Sequence, residues 1–382
     1  MRPPDTLRVP SHDDYAELQA TAAAISRTNF DALLGPLRQY LDDPRTYNVN
    51  VNPDGAIFVE HAERGKFRAP ETMDRAAREA LIGNLANRNG KAVDALHARL
   101  DCDLPYYRVR VQAFAPPVAD WPLMLRAHAR RVYALEEHHL HRVSYASSAA
   151  LEPTRDALAA VRAAIRRRDN ILVSGRPGAG KTTYLNALLR EAAIARPHER
   201  LVLIEDRPEL QPSHADALSL LARVEQAAPD GRRYTYSFPD ALADALRTDF
   251  DALVWGELRT GESAQGLLLA ANTGVRGIMA TIHADSAADT LQRVEDLVRL
   301  AGAPAIRRTI ARFVQLVVHL EMAPDRSERY VSEVVRVLGV DDHDEYQLDA
   351  ADGSRARFAA AATTHGKESR TESRGLGDGP CA

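Results

Sequence analysis

The sequence predicts a two-domain α/β protein, in which a smaller α+β domain precedes a domain built on a largely parallel sheet. From Ile171 onward, short apolar runs typical of buried strands alternate with helical patterns. Before residue 140, strand and helix patterns occur without that regular alternation. The 382 residues, 45% of them hydrophobic and 27% charged, suffice for two modest cores.

The first domain, 1–140, is predicted from helix caps and alternating apolar residues. Ser11 and Asp14 have the spacing of a helix start, and Pro53-Asp54-Gly55 supplies turn chemistry between two short strands. The polar, small-residue segment 141–155 is interpreted as a linker. Helices are predicted over 11–35 and 73–87, and strands over 47–51, 57–59 and 107–113.

The second domain, 156–350, is predicted from five apolar runs. A helix is expected to start at Ser286, which has Asp289 in capping-box spacing, and to end near Leu300. The tail 351–382 has hardly any large apolar residues and is predicted to be disordered. The predicted strands are those beginning at Ile171 and those over Leu201–Ile204, Ala252–Trp255, Gly277–Thr281 and Phe313–Leu320.

Composition excludes several classes of protein. The formal net charge of −4 gives no indication of a basic nucleic-acid-binding surface, so no direct nucleic-acid binding is expected. Two cysteines, Cys102 and Cys381, cannot build a disulfide framework or a four-cysteine zinc site. No apolar run approaches the ~20 residues of a transmembrane helix, and a cytoplasmic location is expected.

A glycine-rich loop follows the strand at Ile171 and precedes a helical pattern. Glycines allow backbone N–H groups to converge on an anion, and the helix dipole adds positive potential there. Lys181 is expected to reach the β- and γ-phosphates of ATP, and Thr182 to bind Mg²⁺. The predicted nucleotide-binding residues are Gly175, Arg176, Pro177, Gly178, Ala179, Gly180, Lys181, Thr182 and Thr183.

Acidic residues end two of the predicted strands. Glu205, Asp206 and Glu209 follow Leu201–Ile204, and Glu257 follows Trp255. Open α/β sheets bind ligands at the carboxyl ends of their strands, so these carboxylates are expected near the phosphates. Such groups hold Mg²⁺ or activate an attacking water, and the residue types leave both tasks open among these carboxylates; Glu205 and Asp206 are the metal candidates.

His283 ends a third apolar run, in Thr281-Ile282-His283-Ala284. At the carboxyl end of its strand, an imidazole can donate a hydrogen bond to a terminal phosphate. His283 is therefore predicted to be a catalytic residue.

The glycine-rich loop, the two acidic segments and the segment that contains His283 follow one another in the order of four motifs of a known family. In this respect the sequence resembles the secretion traffic ATPases, the motors of type II and type IV secretion, type IV pili and conjugation. The resemblance covers roughly residues 30–340 and also includes the hairpin turn Asn52-Pro53-Asp54-Gly55. In that family the segments are the Walker A loop, Asp box, Walker B and His box. They are the loop at Gly175–Thr183, Ile204–Leu210, Val254–Arg259 and Thr273–Ala284.

The resemblance implies a RecA-like P-loop ATPase domain behind a PAS-like nucleotide-capping and oligomerisation domain. It implies that Glu209 and Glu257 position or activate water, and that His283 senses the γ-phosphate. Arg110 and Arg126 match first-domain arginines that reach the nucleotide. It also implies a homo-oligomer, a hexameric ring, that works with inner-membrane secretion or pilus machinery as a peripheral partner.

Two departures from the family pattern bear on its finer assignments. The loop has Arg176-Pro177 where relatives carry a small residue and threonine, and Asp249 stands where a trans-acting arginine is expected. Arg247 and Arg259 do match. The shortage of cysteines disfavours the zinc-containing assembly ATPases, and the segment from Arg110-Val111-Gln112 to Pro116-Pro117 looks closest to the type IV secretion and conjugation branch.

The sequence therefore predicts an ATPase motor that hydrolyses Mg·ATP at a type IV secretion, conjugation or pilus machine. A tight-adherence pilus ATPase and a nucleic-acid translocase with the same core are alternatives. A nucleotide-binding regulator without hydrolysis would not need Glu209, Glu257 and His283. Which of the two glutamates activates water stays open.

Overall fold

The computed structural model describes residues 27–127, 131–138, 155–227, 233–304, 306–324, 326 and 328–350. Most of the predicted opening helix, nearly all of the predicted linker and the whole predicted tail lie outside these residues. The described residues form a six-stranded sheet, an eight-stranded sheet and a two-stranded ribbon.

The first sheet is antiparallel and has the strand order β3-β2-β1-β6-β5-β4. Its first two strands form the predicted hairpin, in which Val51 pairs with Ile57. Its strands are β1 (Thr46–Val51), β2 (Ala56–His61), β3 (Gly65–Thr72), β4 (Arg99–Asp103), β5 (Val109–Phe114) and β6 (Leu123–Ala127).

Helical segments complete the core of this first unit. Residues 27–34 are helical and continue through a 3₁₀ turn, Gly35–Leu37, into α1 (Arg38–Asp42). The predicted second helix is confirmed as α2 (Arg75–Arg88), capped by the Asp74 carboxylate on the Ala77 N–H. Apolar side chains of helices and strands share one buried cluster, so this unit is α+β as expected. The PAS-like comparison stays a prediction.

The second sheet has the order β16-β15-β14-β7-β13-β12-β8-β9. The strands from β14 to β9 are parallel, whereas β15 and β16 add antiparallel at one edge. Its strands are β7 (Ile171–Gly175), β8 (Leu201–Glu205), β9 (Ala217–Leu221), β12 (Ala252–Leu258), β13 (Met279–Ile282), β14 (Leu316–Met322), β15 (Arg329–Val340) and β16 (Tyr346–Ala350); β10 (Arg223–Ala227) and β11 (Arg233–Tyr236) form the ribbon.

Helices accompany the second sheet, which has a separate apolar core on each face. Leu172 belongs to one core, and its neighbours Ile171 and Val173 belong to the other. This arrangement is the predicted α/β class. The helices are α3 (Arg155–Arg167), α4 (Lys181–Ala195), α5 (Phe238–Ala245), α6 (Gly261–Asn272), α7 (Ala287–Leu300) and α8 (Arg307–Phe313).

The sequence predicted one helix start well and misplaced one strand. Ser286 caps α7 by accepting the Asp289 N–H, as predicted. The run Phe313–Leu320 does not form one strand, because Phe313 ends α8 and β14 starts at Leu316. Both parts are buried, so apolar character does not divide them. No described helix has the length and apolar character needed to cross a bilayer.

Glu205, the last residue of β8, holds the loop that follows it. Its buried carboxylate accepts the backbone N–H groups of Glu209 and Leu210 at 3.0 and 2.9 Å. Asn186 of α4 supports the same loop by accepting the Gln211 N–H at 2.7 Å. Burial raises the pKa of Glu205 to about 7, although the two N–H groups favour its ionised form.

This raised pKa predicts that Glu205 makes stability depend on pH. A carboxyl group with a raised pKa in the folded protein favours folding while protonated, and this contribution is lost as pH rises from its ordinary value of 4.5 through about 7. Glu205→Gln retains an oxygen acceptor but does not titrate. We expect the wild-type free energy of unfolding to fall relative to this variant by on the order of 2–3 kcal/mol between pH 4.5 and 8.

Urea unfolding of both proteins at several pH values measures this difference. Two stability profiles that stay parallel across this range would contradict the role of Glu205. Exposed carboxylates titrate in both proteins, so the comparison removes their contribution.

Candidate functional site

The loop between β7 and α4 adopts a shape that requires glycine. Gly175, Gly178 and Gly180 all have positive φ, of 150°, 83° and 91°. A Cβ atom on Gly175 would lie 2.4 Å from the Leu320 carbonyl oxygen of the neighbouring strand. All three predicted cradle glycines thus have backbone conformations that disfavour a side chain, and at Gly175 the neighbouring strand also leaves no room for one.

Lys181 is buried at the start of α4, with 7% of its surface exposed. Its Nζ donates to the carbonyl oxygens of Gly175 and Arg176 at 3.0 and 3.3 Å and lies 3.0 Å from Nδ1 of His283. Burial lowers the pKa of Lys181 to about 8; the Glu257 charge opposes this shift, and Arg126 reinforces it. The loop therefore surrounds a partly desolvated cation.

His283 and Glu257 extend this contact into a row of three charged or polar groups. Nε2 of His283 lies 2.6 Å from Oε1 of Glu257. Nδ1 also lies 3.3 Å from the Gly175 carbonyl oxygen, but its shorter contact is with the ammonium group, which only donates, so we assign Nδ1 as the acceptor and the ring proton to Nε2, toward the carboxylate. The ends of β7, β12 and β13 are thereby connected by Lys181, Glu257 and His283.

Glu257 is a strongly held carboxylate. Its second oxygen, Oε2, accepts from Nε of Arg259 at 2.6 Å, and Arg259 also reaches Oδ2 of Asp206 at 3.1 Å. Burial alone would raise the pKa of Glu257, but the hydrogen bonds from His283 and Arg259 outweigh it and lower this pKa to about 2. Glu257 is therefore ionised at neutral pH, with Oε2 hydrogen-bonded to Arg259 and Oε1 in ion-pair contact with His283.

The other predicted loop residues line the same turn. Thr182 and Thr183 lie on the first turn of α4 and are partly exposed. Ala179 is buried, and its N–H donates to the Arg176 carbonyl at 3.2 Å. The exposed Arg176 side chain, next to Pro177, reaches Asp285 at 2.8 Å.

The acidic loop after β8 lies beside this row. Asp206 is bound by Arg259, and the charge of Glu209 also raises the pKa of that arginine. Glu205 points instead into its own loop. The structure thus places Asp206 against Arg259, and the charge of Glu209 acts on the same guanidinium group.

Arg110 and Arg126, the two arginines expected to reach the nucleotide, lie on neighbouring strands of the first sheet but have different surroundings. Arg110 on β5 is the register partner of Arg126 on β6. The charge of Arg126 adds to the lowering of the Lys181 pKa that burial causes. Arg110 is bound by Asp101 at 3.1 Å, and the same carboxylate accepts from Arg207 at 2.9 Å.

Several residues around the site were not found by sequence reasoning. A signal existed for Asn186, a polar residue among the apolar positions of α4. No local signal exists for contacts between distant segments. These contacts join Arg207 to Asp101 and Asp103, and Arg329 to Glu60.

The chain is similar to one known protein family and to proteins of conjugal transfer and type IV secretion. A sequence model of the family described as "Type II/IV secretion system protein" matches residues 118–371. The conjugal transfer protein TrbB of Rhizobium radiobacter is 32% identical over 310 residues, which are 81% of this chain and 89% of TrbB. The type IV secretion system protein VirB11 of Brucella suis is 28% identical over 344 residues, covering 83% of this chain and 92% of VirB11.

A solved structure supports the fold independently. The Legionella pneumophila ATPase DotB matches with a TM-score of 0.55 and 18% identity, covering 80% of this chain and 79% of that one. At this identity the likeness concerns the fold, an α/β core of the RecA-like kind that the sequence predicted. Within the family, its similarity is to conjugal transfer and type IV secretion proteins. The chain belongs to the type II/IV secretion system protein family, the secretion traffic ATPases that its four motifs indicated.

Proposed function

We propose that this protein hydrolyses Mg·ATP to power a type IV secretion or conjugation machine at the inner membrane. The observation that carries the proposal is the row Lys181–His283–Glu257, which joins the phosphate loop to the ends of two neighbouring strands. Nucleotide binding alone requires a cradle and a cation. A histidine held between the loop lysine and a carboxylate is the additional element expected where a terminal phosphate is recognised.

The residues of the loop would bind the phosphates of ATP. Lys181 would exchange its carbonyl acceptors for phosphate oxygens, and the N–H groups at the start of α4 would add hydrogen bonds. Arg126, whose charge influences Lys181, would add positive potential from the first domain. Arg110 would join it on release from Asp101.

The donor set also fits Mg²⁺, which would neutralise charge developing on the phosphates. The Thr182 hydroxyl on the first turn of α4 and the Asp206 carboxylate are oxygen ligands of the kind Mg²⁺ binds. Glu205 is less suited to direct ligation, because one of its oxygens accepts two backbone N–H groups and burial raises its pKa to about 7. We assign it the role of holding the loop that carries Glu209.

Water activation is assigned to Glu209. Oε2 of Glu257 is hydrogen-bonded to Arg259, Oε1 lies 2.6 Å from His283, and the pKa of about 2 makes this carboxylate a weak base at neutral pH. Glu257 would instead hold His283 in the tautomer that carries its proton on Nε2, which leaves Nδ1 unprotonated toward Lys181. This assignment separates the two glutamates that the sequence left equivalent.

The assembly is proposed by family likeness. We propose a homo-oligomeric ring of six subunits, peripheral to the inner membrane through partners, with an N-terminal domain of the PAS-like kind. VirB11 and TrbB relatives, whose names refer to type IV secretion and conjugal transfer, support this branch. The domain division at 1–140, 141–155, 156–350 and 351–382 belongs to the same proposal.

Removing the loop lysine tests the proposed activity. Lys181→Ala eliminates the cation in the cradle, and we expect ATP turnover to fall below detection while the fold survives. Lys66→Ala is the matched control, because Lys66 is an exposed lysine on the first sheet. Phosphate release and circular dichroism measure the two properties. Turnover by Lys181→Ala at the wild-type rate would refute the assignment.

Separate glutamine variants test the roles of the glutamates. We expect Glu209→Gln to lower the single-turnover hydrolysis rate by on the order of 10³-fold, with nucleotide affinity changed by less than about threefold. Glu262→Gln on the exposed first turn of α6 is the control. If Glu209→Gln hydrolyses ATP normally and Glu257→Gln does not, the two roles are the reverse of those proposed.

A further inference from the structure

Arg329, the first residue of β15, touches both the phosphate loop and the first domain. Its Nε donates to the Gly178 carbonyl at 2.8 Å, and its Nη2 donates to Oε1 of Glu60 on β2 at 2.8 Å. Its guanidinium lies 3.9 Å from the ring centroid of Tyr47 on β1. One planar cation thus joins three segments that are far apart in sequence.

The first-domain side of this contact is firmly held. Glu60 is 6% exposed, and its Oε2 accepts from Nδ2 of Asn48 at 2.7 Å. Asn48 and Glu60 are register partners in the β1–β2 hairpin. Because a buried carboxylate is stable only when paired, Arg329 cannot leave Glu60 without cost. The guanidinium therefore has a fixed anchor in the first sheet.

The loop side of the contact is equally specific. The peptide between Gly178 and Ala179 is held at both ends, because its carbonyl accepts from Arg329 and its N–H donates to the Arg176 carbonyl at 3.2 Å. Lys181 holds the carbonyls of Gly175 and Arg176 from within the loop. Arg329 supplies the corresponding contact from outside.

We propose that Arg329 is a positioning residue that sets the shape of the phosphate loop and couples it to the N-terminal domain through Glu60 and Tyr47. The inference rests on the proposed function in one respect, that the loop binds ATP. A displacement of the β1–β2 hairpin moves the partner of Arg329 and hence the Gly178 peptide. Binding of phosphates in the loop acts on the hairpin by the same route.

The chain offers a matched control in Arg326. Nη1 of Arg326 lies 3.4 Å from Oε2 of the same Glu60, and within the described residues its side chain makes no hydrogen bond to the loop. Arg326→Ala and Arg329→Ala therefore remove the same charge beside the same carboxylate. Only the second removes the contact with Gly178.

Hydrogen exchange of the loop amides tests the inference without ATP turnover. We expect residues 176–180 to exchange at least about tenfold faster in Arg329→Ala than in the wild type, and at the wild-type rate in Arg326→Ala. Mass spectrometry of the full chain, without added nucleotide, gives these rates. Equal exchange in the wild type and Arg329→Ala would overturn the positioning role.

Nucleotide affinity tests the coupling. We expect Arg329→Ala to weaken binding of a fluorescent ADP analogue by on the order of tenfold, and Arg326→Ala by less than about twofold. Glu60→Gln should weaken binding in the same direction, and the Arg329→Ala/Glu60→Gln double variant should bind no more weakly than Arg329→Ala alone. Additive losses would overturn the coupling through Glu60.

A lysine variant separates positioning from charge and provides a second test if Arg329→Ala does not fold. Arg329→Lys retains the cation, but one ammonium group cannot reproduce the planar contact with Gly178, Glu60 and Tyr47 together. We expect fast loop exchange to persist in it; wild-type exchange would show that charge alone suffices and overturn the inference. The proposed function can fail separately. If the wild type does not hydrolyse ATP but loop exchange differs between the wild type and the arginine variants as expected, the proposed function is refuted and the positioning role is intact.

Discussion

The buried ammonium group of Lys181 is the constraint on which the site depends. Removing a cation from water costs several kcal/mol unless acceptors surround it. Its acceptors come from the end of β7, from the phosphate loop and from His283 after β13, and Glu257 of β12 stands behind that histidine. The glycine conformations turn loop carbonyls toward Nζ, so the backbone shape and the lysine stabilise each other.

The same edge of the second sheet carries ionic contacts to the first sheet. Arg207, in the acidic loop after β8, is bound by Asp101 and Asp103, while Arg329 is bound by Glu60. In each case the arginine lies at this edge of the second sheet and the carboxylate lies on the first sheet. Ion pairs thus join the first sheet to the acidic loop after β8 and to the start of β15, beside the glycine-rich loop.

Much of the fold could be predicted because its signals are local. Short apolar runs in the sequence predicted the strands β7, β8 and β12, and a capping residue predicted the start of the helix α7. Each of these signals lies within the few consecutive residues that form the element or its start. The edge strand β9 has no such signal, since its residues are half exposed and it is defined by pairing with β8. At Phe313 a helix and a strand share one apolar run, and packing divides them. The roles of the site residues stay predictions, because contacts show proximity and not chemistry.

The sequence by itself determined the glycine-rich loop, predicted to be a phosphate cradle, and the order of Glu205, Asp206, Glu209, Glu257 and His283 along the strand ends. These features are contiguous motifs, and their predicted chemistry follows from residue type and spacing. Only the tertiary structure decided that Glu205 turns into its own loop, that Asp101 binds Arg110 and Arg207, and that Arg329 joins the loop to Glu60. Arg207 and Asp101 are 106 residues apart, and Arg329 and Glu60 are 269 apart. Contacts over such separations depend on how whole sheets pack, which no local pattern encodes.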